Sequence, residues 1–130
     1  MIGYAIPLML LSAAVSVGAA TPQDRLASER ADLAKRLDGL TPGKSRTCVP
    51  LTGIQEVKFY DGKGLFVQSR SRMWTNDARG GCRVSNDDMI VARLTTGQYC
   101  SGDIIETRSR STNMFTGSCA LGDFVPYSRP

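Results

Sequence analysis

Cys48, Cys82, Cys100 and Cys119 offer the most chemistry in a chain of 130 residues that contains no histidine. No two of them form a C-x-x-C pair. A zinc site draws on close cysteine pairs, usually with histidine, and a redox-active dithiol draws on C-x-x-C. Neither pattern is present, which leaves structural disulfides and no metal. Four cysteines allow three connectivities. Arg108 to Thr112 lies midway between Cys100 and Cys119 and makes them neighbours across a hairpin. The expected pairing is therefore Cys100 with Cys119 and Cys48 with Cys82. The nested alternative, Cys82 with Cys100 and Cys48 with Cys119, stays open.

Catalytic options are few. Without histidine there is no Ser-His or Cys-His pair, and Lys58 and Lys63 have no obvious serine partner. Asp87, Asp88, Asp103, Glu106 and Asp123 are the acids available for carboxylate chemistry of the glycosidase kind. Asp87 and Asp88 are adjacent, so on a strand they point to opposite faces. Asp103 and Asp123 follow glycines close to cysteines, where turn or strand-start roles suffice. Gly43-Lys44-Ser45 lacks the glycine five positions earlier that a phosphate-binding loop needs, because that position is Asp38. Asp61-Gly62-Lys63-Gly64 would put Val57, Phe59 and Gln68 at calcium-ligand positions, so it reads as a turn.

The candidate binding feature is the run from Phe66 to Trp74. Read as one extended strand, Phe66, Gln68, Arg70, Arg72 and Trp74 share a face, and Leu65, Val67 and Met73 share the other. Two arginines between two aromatics form a platform for an anionic or sugar-like ligand, through bidentate guanidinium contacts and ring stacking. Arg79 and Arg83 extend it. The plainer reading is an ordinary sheet face with arginine stems packed over rings.

These residues need a scaffold, and the sequence describes one. Thr21 to Leu40 is an amphipathic helix: Thr21 caps it, Pro22 suits the first turn, and Asp24 meets the positive end of the helix dipole. Leu26, Leu33, Leu37 and Leu40 form a narrow stripe, and Asp32 and Arg36 are an i, i+4 pair. Gly39 and Thr41-Pro42-Gly43 end the helix. Whether it docks is not readable from so narrow a stripe. From Arg46 onward short strands alternate with turns: Gln55 to Tyr60 and Gly64 to Ser69 around an Asp61-Gly62 hairpin signal, then Met89 to Leu94, Ile104 to Arg108, Met114 to Thr116 and Phe124 to Tyr127. The expected fold is mainly β, a small disulfide-stapled barrel or sandwich of about six short strands, preceded by one N-terminal helix.

Residues 1–20 carry no charge, and Val17-Gly18-Ala19-Ala20 supplies small residues of the kind a signal peptidase reads. The expected organisation is a signal peptide over 1–20, a helix and linker over 21–44, and a disulfide-bonded β domain over 45–130. No stable membrane span is expected once the signal is removed. The net charge is +4, from 16 basic and 12 acidic residues. This permits anionic partners without requiring them, and with export it disfavours nucleic acid.

Cys48, the aromatic-x-Asn of Trp74-Thr75-Asn76, Cys82, the run Cys100-Ser101-Gly102-Asp103-Ile104-Ile105, and Cys119-Ala120-Leu121-Gly122-Asp123-Phe124-Val125-Pro126 carry a resemblance. Over Arg46 to Tyr127 the chain resembles a family of small exported proteobacterial proteins of unknown function with a four-cysteine frame. The resemblance implies a bacterial periplasmic or secreted protein and carries over no site residue. The expectation from all of this is a non-catalytic envelope-binding domain without cofactor, using Phe66, Arg70, Arg72, Trp74, Arg79 and Arg83. The alternatives are a structural or inhibitory envelope protein acting by protein contact, and a carboxylate-dependent hydrolase.

Overall fold

The computed structural model describes residues 21–80, 82–85, 87–94 and 96–130, together with the isolated positions 3, 13, 14 and 18. The expected signal segment, 1–20, otherwise lies outside the described residues.

Thr21 opens α1 (Pro22–Leu37) with a reciprocal cap. Its hydroxyl accepts the Asp24 N–H at 3.2 Å, and Asp24 Oδ2 accepts the Thr21 N–H at 3.0 Å. Two donors that the first turn would otherwise leave bare are thereby satisfied. Gly39, at φ +76°, turns the chain out of the helix.

The remainder is β structure. The described strands are β1 (Thr41–Pro42), β2 (Cys48–Pro50), β3 (Glu56–Tyr60), β4 (Lys63–Ser69), β5 (Arg72–Asp77), β6 (Asp88–Ala92), β7 (Gln98–Cys100), β8 (Ile104–Ser109), β9 (Phe115–Ala120) and β10 (Phe124–Ser128). They form three antiparallel sheets, in the orders β1-β10-β5-β4-β3, β2-β7 and β6-β8-β9. The fold is mainly β, stapled by two disulfides, with one leading helix, as the sequence predicts. Strands of two or three residues, and the division of the Phe66–Trp74 run, raise the strand number above the expected six.

The five-stranded sheet is covered on both faces. On one, Phe59, Phe66, Trp74 and Phe124 meet Val49 of β2, Ile105 of β8 and Leu121. Phe66 is fully buried, with the rings of Phe124 and Tyr99 each 5.1 Å away edge-on. Gly64 makes room for this cluster, since a Cβ there would lie 2.9 Å from the Phe59 ring. On the other face, Tyr60, Leu65, Val67 and Met73 receive Leu33, Leu37 and Leu40. The helix therefore docks. Asp32 and Arg36 do not pair with each other as expected. Arg36 reaches Glu56 on β3 through two bonds of 2.9 and 3.0 Å, and Asp32 accepts the Tyr60 hydroxyl at 2.7 Å. Thr41–Pro42, expected in a linker, pairs with Tyr127 and Ser128 as an edge strand.

The disulfides join Cys48 to Cys100 and Cys82 to Cys119. This is the third connectivity, and it corrects both the expected pairing and the nested alternative. The β8–β9 hairpin exists, but its register sets Ile105 opposite Cys119. Cys100 lies before the Ser101-Gly102 turn on β7, where it faces Cys48 directly across the β2–β7 ladder.

Candidate functional site

The premise behind the aromatic-arginine strip fails, because Phe66 to Trp74 is not one strand. The chain reverses at Arg70-Ser71, and β4 and β5 pair so that Phe66 stands opposite Trp74. The two rings do share a face, but it is the core face: Phe66 is 0% and Trp74 8% exposed. Arg70 sits exposed at the turn. Arg72 lines a shallow polar groove with Gln68 and Ser128, away from both rings. Arg79 is exposed, and its backbone bonds Ala120 in both directions at 2.7 and 3.0 Å. Arg83 is exposed, with Nε 3.8 Å from Asp61 Oδ1. The structure therefore does not assemble Phe66, Arg70, Arg72, Trp74, Arg79 and Arg83 into one binding face.

The carboxylates take separate local partners. Asp103 Oδ2 accepts the Cys100 N–H at 2.8 Å, a turn cap. Glu106 lies 3.5 Å from Arg108 along β8, and Asp123 is exposed. Asp87 accepts the hydroxyls of Ser109 at 2.7 Å and Ser111 at 2.8 Å, and these bonds, Ser109 first, hold its carboxyl below the usual range. Asp88 turns the other way, accepting the Ser85 N–H at 3.0 Å and standing 3.1 Å from the Thr116 hydroxyl. Its carboxyl is held low first by that backbone N–H. Among the described residues no group of three or more Cys, Asp or Glu is placed to hold a metal ion.

A different site emerges where two sheets stop short of each other. Among the described strands β3 pairs only with β4 and β6 only with β8, so each presents an edge that no described strand pairs. Both edges line one cleft of about 490 Å³. Val57, Phe59, Ile90, Ala92 and Tyr99 supply its apolar surface, and Lys58 and Arg110 also line it. Asp88, also in its lining, is committed to Ser85 and Thr116. Phe59, Val84, Ser85 and Asp88 continue into a neighbouring cavity of about 300 Å³ under the N-terminal half of α1, where Arg83 lies.

Both disulfides bear on this cleft. Cys48–Cys100 ties β7 to β2 and so fixes Tyr99, the residue next to Cys100. Cys82–Cys119, 3% and 4% exposed, anchors the segment that leads to Val84 and Ser85. Tyr99 packs its ring on Phe66, and burial pushes its hydroxyl pKa up. That hydroxyl has no hydrogen-bond partner among the described residues, which leaves a neutral donor at the cleft. Lys58 stands 3.4 Å from Asp32 and over the Tyr60 ring at 4.8 Å. Arg110 donates from Nε to the Asp88 carbonyl at 3.3 Å, and among the described residues its NH2 groups have no hydrogen-bond partner.

The arrangement offers an apolar trough with a phenolic donor, Tyr99, and the Arg110 guanidinium, while the Lys58 ammonium is drawn to Asp32 and the Tyr60 ring. Among its described lining residues Asp88 is the carboxylate. Sequence reasoning missed the cleft because each component is ordinary alone. Met89 to Leu94 read only as a strand, and Tyr99 lay in no motif. That no described strand covers the β6 edge is a property of the topology.

No family model matches the chain, and no curated protein and no solved structure matches it.

Proposed function

We propose that this protein is a non-catalytic binding domain of the bacterial envelope, exported through its apolar leader, and that its ligand lies in the cleft between β3 and β6. Export is supported by the uncharged segment 1–20, by four cysteines consumed in two disulfides, and by the resemblance carried by the cysteine frame. Among the described residues no helix is long and apolar enough to cross a membrane. The observation that carries the binding reading is the cleft itself: an apolar surface with a half-buried tyrosine, flanked by Lys58 and Arg110, between two unpaired strand edges. Few convergent polar groups on an apolar concave surface are the usual make-up of a ligand site. The separate local roles of Asp103 and Glu106, a turn cap and an ion pair with Arg108, support this reading over a carboxylate hydrolase.

Amide-resolved NMR titration tests this with three probes: inorganic phosphate, a galacturonic acid trimer and an acidic peptide. Saturable shifts are expected at Val57–Phe59, Ile90–Ala92 and Tyr99 with at least one probe. The Arg70→Ala/Arg72→Ala double variant should bind that probe as the parent does. Shifts centred on the Arg70–Ser71 turn, or no saturable response to any probe, overturn the reading.

A further inference from the structure

Strand edges that could recruit a foreign strand are normally guarded by proline, lysine or a bulge. Most edges here follow that rule. β1 carries Pro42, β2 carries Pro50 and β3 carries Lys58. β9 is met by the Arg79 bridge to Ala120. The three-residue β7 and β6 depart from it: from Met89 to Ala92 β6 has no charge and no proline, yet among the described strands it pairs on one side only.

The ladder register shows which groups are free. Arg110 N–H bonds the Asp87 carbonyl at 2.7 Å, and β6 and β8 pair as Met89 with Arg108 and Val91 with Glu106. In an antiparallel ladder alternate residues turn their N–H and C=O toward the partner. Residues 87, 89 and 91 therefore face β8, and the N–H and C=O of Ile90 and Ala92 point outward. Among the described residues neither has a backbone partner outside its own sheet.

We infer that the cleft takes an extended acidic polypeptide segment, which adds to the β6 edge as a fourth strand of the β6-β8-β9 sheet. This rests on the binding reading above and specifies its ligand. Strand addition draws affinity from main-chain hydrogen bonds and selectivity from alternate side chains. One side of the added strand would face Ile90, Phe59 and Tyr99, which suits apolar residues at alternate positions. The charge at the site selects the rest. Arg110 lines the cleft, Arg93 follows β6 directly and is exposed, and among the described lining residues the carboxylate of Asp88 is committed to Ser85 and Thr116, as the Lys58 ammonium is to Asp32. A second copy of the chain fits less well, because edge-to-edge pairing would bring these cations against their own counterparts on a molecule of net charge +4.

The test uses a capped eight-residue peptide alternating valine and glutamate, with a valine-lysine peptide as its charge-reversed control. The acidic peptide is expected to slow hydrogen exchange at the Ile90 and Ala92 amides at least tenfold, and to bind at least tenfold more tightly than the control. Ala92→Pro removes an outward donor without breaking a β8 bond, and should weaken binding at least tenfold. Arg110→Glu leaves the backbone intact and should narrow or invert the preference between the peptides, so the result stands even if the proline variant does not fold. Protection at another edge, equal binding of both peptides, or a dimer formed through β6 overturns the inference. Phosphate or the galacturonate trimer moving the cleft residues while the acidic peptide does not would overturn it too, and would leave the binding reading standing.

Discussion

The side-chain amide of Asn76 clasps the backbone of Gly122. Nδ2 donates to the Gly122 carbonyl at 2.7 Å, and Oδ1 accepts the Gly122 N–H at 2.8 Å. Asn76 is 1% exposed, and the pair spans 46 residues of sequence. It fixes the entry of β10 against β5, next to Phe124. Gly122 is required there because a Cβ would lie 2.5 Å from the Asp77 carbonyl oxygen.

Asn76→Asp tests this clasp. The carboxylate keeps an acceptor for the Gly122 N–H but sets a second oxygen against the Gly122 carbonyl. A buried group left unsatisfied costs about 1–3 kcal/mol, and more when charged. Denaturant unfolding should show a loss of about 3 kcal/mol. A loss below about 0.5 kcal/mol, the scale of ordinary surface changes, would show that the clasp contributes little.

The helix contact predicts an acid response. Asp32 is held below the ordinary carboxylate range first by the Tyr60 hydroxyl, and Glu56 first by the Arg36 guanidinium. A depressed folded-state pKa stabilises the protein above the unfolded value, and that contribution is lost as the pH falls through the folded value. The α1 contact should therefore weaken as the pH drops below the ordinary values of 3.8 for Asp and 4.5 for Glu. Tyr60 has the opposite sign. Burial raises its pKa above 10.0, so its neutral form stabilises the fold and that contribution fades as the pH rises past 10. Helix detachment followed by hydrogen exchange at Leu33 and Leu37 should show both limbs. Glu56→Gln should flatten the acid limb and cost under about 1 kcal/mol at neutral pH, because exposed pairs contribute little.

Much of the scaffold was legible because local chemistry wrote it. Thr21, Pro22 and Asp24 announce the helix, and Asp61-Gly62, both at positive φ, announces the β3–β4 turn. The β4–β5 turn announced nothing. Arg70-Ser71 contains no glycine, asparagine or proline, and the register shift between Val67 and Ser69 accommodates it instead. Phe66 and Trp74 share a face because they are partners across the β4–β5 ladder, not because one strand alternates through both. Alternation failed on which face is wet, because α1 covers one side of the sheet and β2, β8 and β9 the other, so neither side is solvated. Disulfide pairing and the unpaired β6 edge depend on which distant strands meet, and a single sequence does not carry that.

Non-reducing peptide mapping should recover Cys48 linked to Cys100 and Cys82 linked to Cys119. The bonds span 52 and 37 residues. In the chain-entropy treatment each alone contributes about 4 kcal/mol. Cys48→Ala/Cys100→Ala should lower stability by about that amount and loosen Tyr99, read as faster exchange in β7. A Cys100–Cys119 peptide would refute the β2–β7 pairing along with the bond.

Tyr99 separates the cleft's role in folding from its role in binding. Its ring packs on Phe66, but its hydroxyl bonds nothing among the described residues. Tyr99→Phe should leave unfolding free energy within about 0.5 kcal/mol of the parent, as a change that removes no contact does. Tyr99→Ala strips a half-buried ring and should cost about 2 kcal/mol, below the ~3–5 kcal/mol of a fully buried aromatic. If the hydroxyl donates to a ligand carbonyl or carboxylate, Tyr99→Phe should weaken binding by about 0.5–1.5 kcal/mol, the net value of one hydrogen bond. Isothermal calorimetry with the acidic peptide reads this directly. A Tyr99→Phe variant that binds as the parent does would remove the hydroxyl from the site and leave Tyr99 as packing alone.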